Sequence, residues 1–257
     1  METQQKNLIS LTFILSLVAI VLIVVSLSTD HWVESKPKLI NDANNTRGKS
    51  EAHFGLFKGF RIKDVGFGPR PADLKVVCSG GQGVCVVWPE DGAKTAYIYI
   101  DVSLVNKTDD QTLYELGLFN FGYYLTIIIC AALALVFGMI SMGFAIFNIC
   151  GKPIETITGP CGLYVWNGFA FLFSVLEMAM FLALFFTTLK ENFFLSDEYE
   201  KFNFDDHTNL GYSFFLLPVA VALFFANVVC LFFSGFKFRC SFSDEAEKVV
   251  DNGMILY

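Results

Sequence analysis

Charge and histidine are both scarce in this chain. Only 17 % of its 257 residues are Asp, Glu, Lys or Arg, and it has three histidines. The 25 acidic residues outnumber the 18 basic ones, for a formal net charge of −7. Phosphate backbones are held by clustered Lys and Arg, so nucleic acid is excluded as a partner. His31, His53 and His207 are scattered, with no His-Glu-x-x-His or other zinc spacing, and no metal site is expected. No Gly-x-Ser-x-Gly elbow appears, nor a phosphate-binding loop ending in Gly-Lys-Ser/Thr. Gly151-Lys152 begins like one, but Pro153 stands where a hydroxyl must hold Mg²⁺. With no catalytic set and no cofactor motif, the chain reads as a non-enzyme without cofactors.

Apolar residues are abundant instead. They make up 54 % of the chain, with 29 phenylalanines and a mean hydropathy of +0.53. A soluble domain is roughly 45–50 % apolar. The excess falls in four blocks, each meeting the requirement of about 20 apolar residues for a membrane span. These run from Leu8 to Ser28, Leu118 to Ile149, Leu163 to Leu189 and Gly211 to Phe236. Lys6 before the first block, and Ser26 and Ser28 at its end, also fit a cleaved signal peptide. The apolar run exceeds the about 7–15 residues of a signal core, which favours a retained anchor. The fold expected is an all-α membrane protein, a four-helix transmembrane bundle, with a small β-containing extracellular domain in the first loop.

The spans leave tails at 1–7 and 237–257, a long loop at 29–117, a turn at 150–162 and a second loop at 190–210. The positive-inside rule is of little use, because loops longer than about 60 residues escape it. Glycosylation sequons decide better. Asn44-Asn45-Thr46 and Asn106-Lys107-Thr108 both lie in the long loop, which places it outside, with both tails and the turn in the cytoplasm. Cys161 as a nucleophile would then have no histidine on its side of the bilayer.

Within the long loop, "KVVCSGGQGVCVVW" (75–88) reads as a β-hairpin turning at Gly80-Gly81. Cys78 and Cys85 lie on opposite arms in an oxidising compartment, where a disulfide between them is expected. "YIYIDVSLV" (97–105) alternates strictly and reads as a strand, with Ile98, Ile100, Val102 and Leu104 on one face. In the second loop, Asp197, Glu198, Glu200, Asp205 and Asp206 lack EF-hand spacing and read as a solvated acidic segment.

Glu177 is the one ionisable residue at membrane depth. Its two readings are an ion or proton relay and a carboxyl that holds helices together; the lack of a second charged residue favours the latter. Small residues four apart (Ala134/Gly138, Ser141/Ala145, Ala179/Ala183, Ala222/Ala226) permit close helix approach, and Asn148, Asn167 and Asn227 can hydrogen-bond across it. Pro218 either bends the fourth span or marks its first turn. Cys150, Cys161 and Cys240 flank the membrane and are candidates for palmitoylation, against ordinary thiols. The ending Ile255-Leu256-Tyr257 suits a PDZ-type groove.

Several stretches resemble one family. "GKPIETITGPCGLYVWNG" (151–168), Trp32 after the first span, "HFGLFKG" (53–59), "YSFFLL" (212–217) and the terminal "GMILY" resemble the clarins, tetraspan proteins related to the claudin and PMP22-like group. The first loop departs from the family, being longer and carrying the Cys78–Cys85 hairpin. The resemblance implies a non-enzymatic plasma-membrane or vesicular scaffold linked to the actin cytoskeleton, with roles in sensory hair cells. Its partners would be the lipid bilayer, other membrane proteins through helix faces, PDZ or cytoskeletal adaptors, and a second copy of itself. The alternatives are a channel, transporter or auxiliary subunit, and a claudin-like adhesion or barrier protein. Claudins carry Gly-Leu-Trp, whereas Gly55-Leu56-Phe57 stands here, which disfavours the barrier.

Overall fold

The computed structural model describes residues 2–40, 50–64, 68–150, 160–195, 201–204 and 207–233. Four helices in it are long and apolar enough to cross a membrane: α1 (Glu2–Ser28), α3 (Phe121–Cys150), α4 (Pro160–Leu184, continued by a π turn at Phe185–Leu189) and α5 (Tyr212–Phe233). Pro160 opens α4 at a position where its missing N–H costs nothing. Pro218 lies inside α5, well beyond the first turn.

All four helices bury side chains at alternating steps of three and four residues. In α1 these are Ile9, Thr12, Ser16, Ala19, Ile23 and Ser26; in α5 they are Ser213, Leu217, Ala220, Phe224, Asn227 and Leu231. In α3 the seam runs Ile127, Ala131, Ala134, Gly138, Ser141, Ala145, Asn148. In α4 it runs Leu163, Asn167, Ala170, Ser174, Glu177, Phe181, Leu184. This spacing is that of left-handed coiled-coil packing, in which one stripe of each helix stays turned to its neighbours. The buried stripe is rich in small and polar residues. The outward surface carries Leu11, Ile14, Val21, Ile129, Val136, Leu172, Phe215 and Phe225. Two helices in hydrocarbon gain nothing from hiding Leu from lipid, so close approach and hydrogen bonds select the inner face. A Cβ on Gly138 would meet Phe224 at 3.1 Å and Ile20 at 3.2 Å, which shows how near α1, α3 and α5 come. The other small-residue pairs differ. Ala179 and Ala222 face outward, and Ala183 and Ala226 are half-exposed.

On one side of the bundle lies a seven-stranded antiparallel sheet, ordered β7-β6-β5-β4-β3-β1-β9. Its strands are β1 (Val33–Ser35), β3 (Glu51–Phe54), β4 (Lys58–Lys63), β5 (Arg70–Ser79), β6 (Val84–Pro89), β7 (Leu118–Asn120) and β9 (Thr208–Leu210). A small second sheet pairs β2 (Lys38–Leu39) with β8 (Phe202–Asn203). The β region is thus larger than an all-α reading with a small first-loop domain allows. It also draws β8 and β9 from the second loop.

The hairpin at 75–88 has its arms in β5 and β6, with Cys78 and Cys85 opposite one another and joined by a disulfide. Its turn spans residues 80–83, and the left-handed residue is Gly83 (φ 71°), not the Gly80-Gly81 pair. The strand expected at 97–105 is a helix, α2 (Ala93–Val105), packed on β5 and β6. Ala96, Ile100 and Leu104 are four apart and face the sheet, while Ile98 and Val102 point to the surface, 61 % and 52 % exposed. The place beside β6 that a further strand would fill is taken by β7.

Phenylalanines from the second loop fill the space between sheet and bundle. Phe193 packs on Phe54 (4.9 Å between centroids), and Phe194 meets Phe202 and Phe204 edge-on. Buried Asn192 fixes them, its amide donating to the carbonyls of Tyr114 and Phe194. Beneath this cluster, Gly117 has φ 65°, and a Cβ there would stand 2.1 Å from the Phe194 carbonyl oxygen. Gly117→Ala is therefore expected to cost at least about 2 kcal/mol through strain and displacement of the Phe cluster. A thermal or denaturant melt of the protein in detergent checks it, with Gly81→Ala, at an open position, as the silent control.

Candidate functional site

A dense set of specific contacts forms the joint between bundle and sheet, built around Trp32. The chain leaves α1 at Ser28, passes Thr29, Asp30 and His31, and enters β1. Trp32 is fully buried, and its indole Nε1–H donates to the Ser26 carbonyl at 2.7 Å. Its ring meets Phe181 of α4 and Phe214 of α5 edge-on, at 4.6 and 6.1 Å. Its backbone N–H donates to Phe54 of β3, and its carbonyl accepts from Gly211 before α5. One residue thus touches three helices, strand β3 and the residue that leads into α5. Ser213 completes the joint: its N–H donates to the His31 carbonyl, and its carbonyl accepts from the Ser26 hydroxyl at 2.8 Å.

Two glycines make this closeness possible. A Cβ on Gly55 would lie 2.5 Å from the Thr29 oxygen and 2.9 Å from the Asp30 Cα. A Cβ on Gly211 would lie 2.1 Å from the His31 oxygen. The "HFGLFKG" stretch now has a physical meaning. It ends β3, turns with the Gly55 N–H donating to the Lys58 carbonyl, and begins β4, where Gly59 pairs with Phe54.

At the rim of the joint, four side chains gather. The His31 and His53 rings stack at 4.0 Å and 13°, and Tyr212 also stacks on His31 at 4.8 Å. Asp30 lies 2.8 Å from His31 Nδ1 and 3.5 Å from His53 Nε2. The histidines are scattered in sequence, yet two of the three are neighbours in space. Sequence reasoning missed this because the separation spans a loop whose path only the β1–β3 pairing reveals.

The second feature is a polar knot inside the bundle. The Asn167 amide donates to Ser141 Oγ at 2.6 Å and to the Leu163 carbonyl at 2.8 Å. Its Oδ1 accepts from Ser16 at 3.3 Å and from Asn227 at 3.2 Å, while Asn227 also donates to Ser16 at 2.9 Å. All four helices contribute one residue each. Ser16, which carried no sequence reading, was marked by its place on the small-and-polar stripe of α1. Asn148 stays out of the knot and bonds the Phe144 carbonyl one turn back.

Glu177 lies ten residues from Asn167 on the same seam, about 15 Å along the helix. It is fully buried, and neither carboxyl oxygen has a hydrogen-bond partner among the described residues. Asn106 caps the C-terminus of α2 and is exposed. Cys150 ends α3 and Cys161 is the second residue of α4, so both stand at the bundle end away from the sheet. Asn44, Cys240, Ile255, Leu256 and Tyr257 lie outside the described residues, as do Asp197, Glu198, Glu200, Asp205 and Asp206.

Four apolar helices in one seam-packed bundle, with both connections on one side sharing a single sheet, define a tetraspan membrane protein. A family model described as Clarin-2, Clarin-2-like, matches residues 113–232, from before α3 into α5. Clarin-3 of Mus musculus is 25 % identical over 247 residues, covering 93 % of this chain and 92 % of that protein. Clarin-3 of Homo sapiens is 24 % identical over 240 residues (91 % and 88 %), and Clarin-2 of Mus musculus 28 % over 181 (67 % and 63 %). The chain is thus similar to the clarins over most of its length.

Because the knot shares atoms among its members, its energetics are not additive. Asn167→Leu is expected to destabilise the bundle by about 1–2 kcal/mol. Asn227→Leu added to it should cost clearly less than its effect alone, since the two amides are in contact. A double-mutant cycle on reversible unfolding in bicelles measures this.

Proposed function

We propose that the protein is a non-enzymatic tetraspan organiser of the plasma membrane and associated vesicles. Its tails and the α3–α4 turn face the cytoplasm and its sheet faces outward. The reading is carried by one observation: the buried seam of each helix mixes small and polar residues with apolar ones, and exposed large apolar residues lie along the outer face of all four helices. A body of this kind is rigid within and adhesive without. The outward Ala179/Ala183 and Ala222/Ala226 pairs offer places where another membrane helix can approach closely. Exposed Asn106, beside the sheet, supports glycosylation and the outward orientation of that side; Asn44 is its companion sequon. Cys150 and Cys161, at opposite ends of the turn, are the proposed acylation sites there, with Cys240 in the tail. Resemblance to the clarins supports links from the cytoplasmic side to adaptors or the actin cytoskeleton, in cells of the sensory type.

A second reading rests on Glu177. An unpaired carboxyl fully buried at membrane depth is expensive, and such groups mark ion or proton paths by default. Under this reading the protein is a subunit that modulates a channel or transporter.

Two measurements separate these claims. Glycosidase treatment should increase gel mobility, and Asn44→Gln with Asn106→Gln should abolish the change; an unshifted wild-type band removes the orientation. Glu177→Gln should leave folding and partner recovery by proximity labelling intact if the residue only packs helices. Loss of a transport or modulation signal in that variant, with partners retained, transfers the function to Glu177.

A further inference from the structure

The rim cluster of Asp30, His31 and His53 has the composition of a metal site. One oxygen of Asp30 and one ring nitrogen from each histidine all lie within 4.8 Å of one another. The three come from two elements whose backbones are fixed independently. Asp30 and His31 are pressed between Gly55 and Gly211, at distances where even a methyl group has no room. His53 sits in the sheet interior, with β1 on one side and β4 on the other. The ligating ends are thus brought together by rigid backbone, a requirement that flexible surface histidines do not meet. Their side chains are 26–43 % exposed, open enough for an ion to enter from water.

We infer that Asp30, His31 and His53 form a binding site for a borderline divalent transition ion of the Zn(II) class, at the joint between sheet and bundle. Two imidazoles and a carboxylate match zinc, whereas Ca²⁺ and Mg²⁺ take oxygen sets. Zinc bound at about 2.0–2.2 Å in a tetrahedron places its ligand atoms about 3.3–3.5 Å apart. Closing the cluster from its present spread needs an ångström or so, within reach of side-chain rotation alone. The histidine stack opens to admit the ion between ring edges, and water fills the position the protein leaves free. Tyr212, stacked on His31, limits how far that ring swings. A bound ion ties the exit of α1 to β3 across the entry of α5, and so stiffens the joint around Trp32. Extracellular zinc would then act on how firmly the ectodomain is held.

The test uses the full-length protein in nanodiscs, titrated with ZnCl₂ by calorimetry and followed by thermal melting. One Zn(II) per chain is expected, with a melting temperature that rises with ZnCl₂ and not with CaCl₂. His53→Ala and, separately, Asp30→Asn should each weaken Zn(II) binding by about tenfold or more while still melting cooperatively without zinc. His207→Ala, which removes the one remaining histidine, should bind like the wild type. If micromolar Zn(II) does not bind, or if Asp30→Asn and His53→Ala bind it as tightly as the wild type, the site does not exist.

Discussion

The indole of Trp32 is where the helix bundle and the sheet become one body. Its N–H is spent on the Ser26 carbonyl at the end of α1, one of the acceptors that a helix C-terminus leaves without intrahelical partners. Its ring wedges between Phe181 and Phe214, so the upper ends of α4 and α5 are spaced by it. Its own backbone is already part of the sheet through Phe54 and Gly211. A buried Trp removes a large apolar area from water and needs a partner for its N–H. Both needs are met here only if α1, β3 and α5 sit in one relative position. The Phe193–Phe194 cluster and the Asn192 amide then extend this fixed frame under the rest of the sheet.

Below the joint the rules change, because lipid replaces water. Large apolar side chains lose their preference for the interior, and the inner seam goes to Ser, Ala, Gly and Asn. The knot of Ser16, Ser141, Asn167 and Asn227 is the polar expression of this inversion. It fixes register, since sliding any helix by one turn would strand an amide in hydrocarbon. Glu177 occupies the same seam, and its carboxyl oxygens find no hydrogen-bond partner among the described residues.

What could be read from the sequence follows from the same physics. The four long apolar helices were legible because length and apolarity alone define them. Which face of each helix turns inward was less plain, since hydrophobicity is nearly uniform around it. The informative pattern was the three-four recurrence of small and polar residues, as in Thr12, Ser16, Ala19 and Ser26. Reading Ala-x-x-x-Ala pairs singly placed Ala179 and Ala222 on the same footing as Ala134, although only the last is internal. The 97–105 segment failed for another reason. Its residues satisfy both a two-residue alternation and the four-residue spacing of Ala96, Ile100 and Leu104, and packing on the β5–β6 hairpin selected the helix. The histidine cluster was beyond reach, because it depends on pairing of β1 with β3.

The edges of the sheet bear on how it can meet other molecules. Open edges invite pairing with another chain, and sheets protect themselves by keeping edge strands short. Both edges here, β7 and β9, are three residues long, and each runs almost directly into a membrane helix. The Asn120 side chain, at the end of β7, already caps α3 by accepting from the Gly122 N–H. Another strand arriving at either edge would find little ladder and would meet the lipid surface within one or two residues. Adhesion between cells by strand addition is therefore poorly served by this domain. Recognition falls instead to side-chain surfaces: the rim of Asp30, His31 and His53, the exposed face of α2, and the apolar wall of the bundle.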